Sequence, residues 1–197
     1  MTYYSISREE IAVQLTDSMN GKKGLVLGVA NEKSIAWGIS QVLARSGAEL
    51  GFTYQGEKLK KRVAPLVEKI GGDFLVECDL TNEEQVETLF ETVKEKWGGL
   101  DFIVHSVAFA PKEELVGDFV NTSREGFRVA HDVSSYTLTL LCQKGAPLMN
   151  AGASVIALTY LGGERVVQGY NVMGVAKASL EMSVRYLAND FGKKGIR

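Results

Sequence analysis

Cysteine and histidine are almost missing from this chain, with two of each in 197 residues. Cys78 and Cys142 lie far apart, and neither has a neighbour at a metal-ligand spacing. Two isolated thiols build no disulfide framework, so both read as small buried or half-buried residues of a reducing compartment. No metal site is expected. No apolar run is long enough to span a bilayer. Arg8, Glu9 and Glu10 occupy the place where the apolar stretch of a secretory leader would have to lie, which argues against export. Basic blocks are absent as well, and a net charge of −2 argues against a dedicated nucleic-acid binder. Repeats, low-complexity tracts and linkers are lacking. An ordinary soluble domain remains, 45% apolar and 23% charged, of a size for one sizeable core. The expected location is cytoplasmic.

Apolar runs alternate with helical periodicities. Residues 1–20 read as an N-terminal appendage, where Ser7 and Glu10 form a capping-box pattern ahead of a short helix. From residue 21 onward one domain is expected. GLVLGV (Gly24–Val29) reads as a buried strand and Ser34–Ser46 as a helix ended by Gly47. LGFTY, DFLVEC, FIVHS and ASVIALT supply four more strands. Helices are expected over Glu57–Ile70, Asn82–Trp97, two stretches within Ser123–Met149, and Gln168–Phe191. Gly192–Gly195 reads as a turn, with another strand beginning at Ile196-Arg197. Strand and helix alternating at this pitch predict an α/β fold, a doubly wound parallel sheet of the Rossmann-like kind. Ligands of such sheets sit at the carboxyl ends of the strands, near the reversal of strand order.

Candidate ligand groups fall at those ends. After strand one, Gly28 permits a sharp turn, and free amides near Ser34-Ile35 at the helix start favour a pyrophosphate. The common G-x-G-x-x-G fingerprint is absent, since the loop carries only Gly28 and Gly38. Alone it is equally an ordinary strand-to-helix turn; its place after the first strand favours the nucleotide. Strand two ends at Tyr54-Gln55, where a carboxylate or a cation commonly reads the ribose or its 2′-phosphate. Gln55 is neither, though an amide bonds a hydroxyl. Lys58, Lys60, Lys61 and Arg62 follow, more as a solvated helix face than a phosphate site. Asp79, after strand three, suits either an adenine amino group or the cap of the next helix. His105 reads as a satisfied core histidine and His131 as structural.

Tyr170 and Lys177 stand seven residues apart, with Tyr160 ten residues upstream of Tyr170. Seven helical steps return to nearly the same face, so a phenol and an ammonium would project side by side. The cation lowers the cost of negative charge on the phenol and can grip a sugar hydroxyl. That pair suits a reaction in which an oxygen gains charge while a hydride arrives elsewhere.

Gly28 with Ser34-Ile35, Tyr54-Gln55, Cys78-Asp79, HSVAFAP (His105–Pro111), and Tyr160 with YNVMGVAKASLE (Tyr170–Glu181) together resemble the bacterial enoyl-[acyl-carrier-protein] reductases. These are the divergent NADH-using branch of the short-chain dehydrogenase/reductase superfamily. The resemblance runs from about residue 20 to the last residue. It implies hydride delivery to the β-carbon of a trans-2-enoyl thioester, with charge moving to the thioester oxygen. Tyr170 would stabilise that oxygen, Lys177 would hold the nicotinamide ribose, and Tyr160 would shape the pocket. By the same carry-over Gly28, Ser34, Ile35, Gln55, Asp79, Leu80 and Val107 line the cofactor, NADH rather than NADPH, and Ala110 borders the acyl site. Tyr160 otherwise reads as a strand-end aromatic. The implied partner is an acyl carrier protein bearing an enoyl thioester, and the implied assembly a homotetramer packed through the long helices after strands four and five. Gly174, Ala176, Ala178 and Ser179 would permit close helix contact there, or simply pack on the sheet.

Two departures accompany the resemblance. Ala108 replaces a common glycine. Family members continue beyond the position of Arg197 with a sixth strand, a substrate loop and a last strand, so an enzyme sequence cut short is the expectation. A rival 3-ketoacyl thioester reductase usually carries a serine where Ala157 stands. A nucleotide-binding form without turnover is the other alternative.

Overall fold

The computed structural model describes residues 18–197, so the helix expected after Ser7 lies outside the described residues. Five parallel strands form one sheet: β1 (Lys23–Leu27), β2 (Glu49–Tyr54), β3 (Phe74–Glu77), β4 (Leu100–His105) and β5 (Met149–Ala157), in the order β3-β2-β1-β4-β5. The helices are α1 (Ile35–Arg45), α2 (Gly56–Lys69), α3 (Glu83–Trp97), α4 (Arg124–His131), α5 (Thr137–Gly145) and α6 (Asn171–Gly192).

The pleat of β1 explains the two layers. Successive side chains point to opposite faces. Leu25 and Leu27 join Ile103, Val86, Leu89, Phe90, Val93, Leu140 and Leu141 on the α3–α5 side. Val26 joins Phe102, Val104, Phe52, Trp37, Val63 and Val67 on the α1–α2 side. A core on both faces is what the continuous apolar run of β1 requires. Strand order reverses between β1 and β4, so the carboxyl ends of these two strands open a crevice where Gly28 meets Ser106.

Most expected elements lie within a few residues of their observed bounds, and three differences bear on the site. The helix expected from Gln168 starts at Asn171, because Gly169 (φ 75°) and Asn171 (φ 37°) take left-handed backbone and leave Tyr170 at the N-cap. Asn171 is the one non-glycine among the described residues with positive φ, and its side-chain amide donates to Gly117 O at 3.0 Å. The two helical stretches after Ser123 are joined by a π-helical turn, Asp132–Tyr136. β5 begins earlier than ASVIALT, with a register irregularity opposite Leu100/Phe102. The start of a further strand is visible: Arg197 N donates to Ala153 O at 2.9 Å and Val155 N to Arg197 O at 2.7 Å.

Of the small residues of α6, Gly174, Ala176 and Ser179 face inward and Ala178 is exposed. A Cβ on Gly174 would stand 2.6 Å from Gly162 O, Ala176 is fully buried, and the Ser179 and Ser135 hydroxyls bond at 2.9 Å. They let α6 approach the 161–163 turn and the π-helical turn of its own chain. Among the described residues no helix is long and apolar enough to cross a membrane, and no group of three or more His, Cys, Asp and Glu could hold a metal ion.

Candidate active site

Two cavities open along the carboxyl ends of the strands and share Ser106, Val107 and Ala108 as lining residues. The first, about 670 Å³, is lined by Gly28, Val29, Gln55, Asp79, Leu80 and Arg128 among others. The second, about 560 Å³, is lined by Ile35, Leu158, Thr159, Tyr160, Tyr170 and Lys177 among others. Their common wall makes one long cleft across the switch point.

At its centre Gly28 has φ 99°, and a Cβ there would be driven into the Ser106 carbonyl oxygen. Only glycine lets β1 and β4 approach this closely and still turn. The Ser34 hydroxyl accepts from Ala30 N at 3.0 Å and Asn31 N at 3.1 Å, which rigidifies the loop after Gly28. Ser34 thus shapes the loop and lines neither cavity. Trp37 and Gly38 donate back to Ser34 O, so the first-turn amides of Ile35 and Ala36 remain to face an anion.

At the ends of β2 and β3, Gln55 Nε2 donates to Asp79 Oδ2 at 2.7 Å. Asp79 Oδ1 accepts from Thr81 N at 2.9 Å and from the Thr81 hydroxyl at 2.7 Å. Burial raises the Asp79 carboxyl, but the Thr81 and Gln55 donors outweigh it and hold the pKa below the ordinary value. Asn82, not Asp79, caps α3, accepting from Glu84 N and Gln85 N. Lys58, Lys60, Lys61 and Arg62 are exposed and absent from the cavity walls, as a solvated face would be.

Tyr170 and Lys177 line the same cavity, and the Tyr160 ring meets the Tyr170 ring edge-on at 4.8 Å between centroids. Lys177 is 5% exposed and donates to Leu158 O at 2.7 Å. Burial lowers its pKa, partly offset by Glu181. Tyr170 runs against the expectation of a phenol acidified by its neighbour. Burial, then Tyr160, raises its pKa, so it stands as a neutral hydrogen-bond donor. Ala110 lines neither cavity; it packs beside Tyr170 on the cluster of Ala130, Val172, Met173 and Ala176.

Beneath the cleft, His105 is fully buried. The Thr137 hydroxyl donates to Val133 O at 2.7 Å, so the 2.8 Å contact with His105 must be a donation from Nε2–H. Nδ1 is then an acceptor without a partner among the described residues, where the expectation of a satisfied core histidine holds for only one nitrogen. Burial, then Lys177, lowers its pKa from 6.5 to about 4. Below pH 6.5 the unfolded chain therefore binds a proton that the native imidazole refuses. Stability falls as pH drops from about 6.5 towards 4, by about 2–3 kcal/mol from this group. Urea unfolding at pH 7 and pH 4.5 measures it, and His105→Gln is expected to remove most of that pH-dependent difference. His131 donates through Nδ1–H to Phe127 O at 2.9 Å and stacks on the Phe127 ring, a structural role. Both cysteines are buried, with burial pushing each thiol to about 12.

Several lining residues were not singled out as site residues by the sequence: Leu158, Thr159, Val167 and Gln168. They sit on the connection after β5, where position follows from topology rather than periodicity. Ser134 was missed too. Buried on the π-helical turn, its hydroxyl accepts from Phe109 N at 3.0 Å and lies 3.2 Å from Phe109 O, holding the loop after β4. Helical periodicity over Ser123–Met149 does not announce a π turn.

An open parallel sheet, a glycine turn into α1, a long cleft across the switch point and a Tyr–Lys pair at its end define a dinucleotide-binding protein of the short-chain dehydrogenase/reductase class. The family model described as "Enoyl-(Acyl carrier protein) reductase" matches residues 28–197. "Enoyl-[acyl-carrier-protein] reductase [NADH] 1" of Rhizobium meliloti is 49% identical over 93% of this chain and 68% of its own length. An enoyl-acyl-carrier-protein reductase of Anaplasma phagocytophilum, solved with NAD, superposes with a TM-score of 0.89 at 50% identity, over 91% of this chain and 69% of the other. The Bacillus cereus enoyl-acyl carrier protein reductase, solved with NADP+ and indole naphthyridinone, gives 0.89 at 48% identity, over 92% and 71%. The chain belongs to the enoyl-[acyl-carrier-protein] reductase family.

Proposed function

We propose that this chain reduces the trans-2 double bond of enoyl-acyl-carrier-protein thioesters with NADH, a step of fatty acid elongation. The observation that carries this reading is the convergence of Tyr170 and Lys177 on a cavity that shares a wall with the Gly28–Gln55–Asp79 cleft. The cleft fits a dinucleotide: a glycine where a Cβ would collide, free helix amides beyond it, and an amide–carboxylate pair at the far end. Gly28, Ile35, Gln55, Asp79, Leu80 and Val107 would hold the cofactor, with Ser34 fixing the loop and Lys177 on the nicotinamide side. When bound, the nicotinamide supplies a hydride.

The chain's own residues supply the rest. Tyr170, neutral because burial disfavours its anion, donates to the thioester oxygen as charge gathers there. Lys177 has three N–H groups, and Leu158 O takes one. The others remain for a ribose hydroxyl, and its buried charge places a cationic field at the same end of the cavity. Tyr160, half exposed and edge-on to Tyr170, walls the thioester side. Ala110 acts behind Tyr170, bordering the acyl site through the cluster it packs on.

Acyl carrier protein, presenting the thioester on its pantetheine arm, is the partner; nucleic acid and membrane are not. The setting is cytoplasmic and the assembly a homotetramer. Phe127, Tyr136, Met182 and Tyr186 on α4–α6 and the turn between them are exposed, apolar surface that a second copy would cover. Residues 21–197 act as the one reductase domain, with 1–20 appended.

Reduction of a 3-ketoacyl thioester finds less support: Ala157 lacks a hydroxyl, and the Thr159 hydroxyl donates to Glu181 at 2.6 Å. Purified protein mixed with NADH and either a trans-2-enoyl or an acetoacetyl thioester decides. Oxidation of NADH with the enoyl substrate alone is expected. Oxidation with the ketoacyl substrate alone would replace this reading, and NADH binding without turnover on either would make the chain a cofactor-binding form.

A further inference from the structure

Asp79 and Gln55 form a pair whose chemistry exceeds simple contact with a nucleotide. Asp79 is an ionised carboxylate, so it offers only acceptors. The group that Gln55 turns toward it, 2.7 Å away, has to be the amide nitrogen. The direction of the Gln55 amide is therefore dictated by the charge beside it rather than by the glutamine itself. Its oxygen has no donor among the described residues, and Gln55 lines the first cavity. Asp79 in turn cannot rotate away, because the Thr81 amide and hydroxyl bind Oδ1 and Asp79 N donates to Gln85 Oε1 at 2.6 Å.

The cation in the wall at this end of the cleft is occupied. Among the described residues Arg128 is the one lysine or arginine in the cavity wall, and its guanidinium bonds Glu125 at 2.9 and 2.6 Å and lies 3.5 Å from Asp132. Lys60 pairs with Glu57 at 3.1 Å and sits over the Tyr54 ring, outside the wall. A ribose hydroxyl is a donor and meets the Gln55 oxygen well. A 2′-phosphate has only acceptors when fully ionised, carries up to two negative charges, and meets an acceptor with a carboxylate behind it and no unpaired cation in the cavity wall among the described residues.

We propose that Asp79 is a specificity-determining residue that acts through Gln55: by fixing the amide with its oxygen toward the cleft, it selects a dinucleotide with a free 2′-hydroxyl over its 2′-phosphorylated form. This deepens the reductase reading and rests on it, since the cleft must take a dinucleotide at all. Family membership does not decide the matter, because the Bacillus cereus relative was solved with NADP+.

The near-isosteric change Asp79→Asn makes a sharp test. The Asn oxygen stays with the two Thr81 donors, which leaves its amide nitrogen facing Gln55. Gln55 must then turn its own oxygen to Asn and its N–H groups to the cleft, where they suit a phosphate. NADH and NADPH affinities are measured by fluorescence titration for the parent chain, Asp79→Asn, Gln55→Leu and the double variant. Circular dichroism confirms that each is folded. Asp79→Asn is expected to lower the NADPH-to-NADH ratio of dissociation constants by about tenfold or more, charge and hydrogen bonding both having changed. In the Gln55→Leu background the same substitution is expected to change the ratio by less than about threefold. A ratio unmoved within about twofold by Asp79→Asn overturns the proposal. So does an equal change in both backgrounds, which would mean that Asp79 acts by charge alone. A folded parent chain that binds neither dinucleotide overturns the reductase reading, and this proposal with it.

Discussion

Replacing Tyr170 with phenylalanine lowers kcat for the enoyl thioester by about 100- to 1000-fold, the loss typical of one donor to a developing oxyanion. The KM for NADH is expected to stay within about threefold, because the missing hydroxyl faces charge that exists only in the transition state. The ring itself remains, and with it the edge contact to Tyr160 and the packing on Val172 and Met173. Steady-state kinetics with each substrate varied separates the two parameters. A large rise in the KM for NADH at unchanged kcat would place Tyr170 in cofactor binding instead. The raised pKa sharpens the expectation: Tyr170 stays protonated through neutral pH, so activity should not depend on its titration there.

Gly28→Ala carries the second large effect. The new Cβ must enter left-handed backbone at φ 99° and collide with the Ser106 carbonyl, which is main chain and cannot swing aside. A cost of about 3 kcal/mol or more is expected, equivalent to a fall in Tm of about 6–12 °C for a domain of this size. The collision also pushes β1 and β4 apart where the two cavities share their wall, so NADH binding is expected to drop below detection. Gly38→Ala is the comparison. Gly38 lies within α1 with ordinary φ and nothing within 4 Å of its Cβ, so that change should be neutral or slightly stabilising. Thermal melts and NADH titration of both variants supply the check. Equal melting temperatures for the two would remove the structural role assigned to Gly28.

Both predictions concern residues that sequence alone could reach, and the reason is physical. Doubly wound sheets announce themselves through alternation of apolar strands with capped amphipathic helices, so β1 to β5 and their order of appearance were readable. A glycine after the first strand and a Tyr/Lys pair after the fifth are local signals whose meaning follows from that topology. Other features needed three dimensions. That Tyr170 caps α6 rather than riding within it depends on left-handed backbone at Gly169 and Asn171, and asparagine gives only a weak hint of that. The Gln55–Asp79 bond spans β2 and β3 and is invisible until their register is known. Lys177 was expected to acidify Tyr170, but burial reverses the sign, and burial is a property of the assembled cleft. Ser34 supplies a helix-start signal in sequence, yet its hydroxyl serves the loop behind it. The π turn at Asp132–Tyr136, which gives Ser134 its hold on the loop after β4, left no periodic trace at all.

Reduction of a trans-2-enoyl thioester in D2O with unlabelled NADH tests the central claim most directly. If Tyr170 stabilises charge on the thioester oxygen while the β-carbon receives its hydrogen from the cofactor, the α-carbon must take its hydrogen from solvent-exchangeable groups. Mass spectrometry and NMR of the product are expected to show one deuterium at C2 and none at C3. Deuterium at C3 would contradict the account, because the β-carbon would then have received a solvent proton and the oxygen facing Tyr170 would not be where the charge collects.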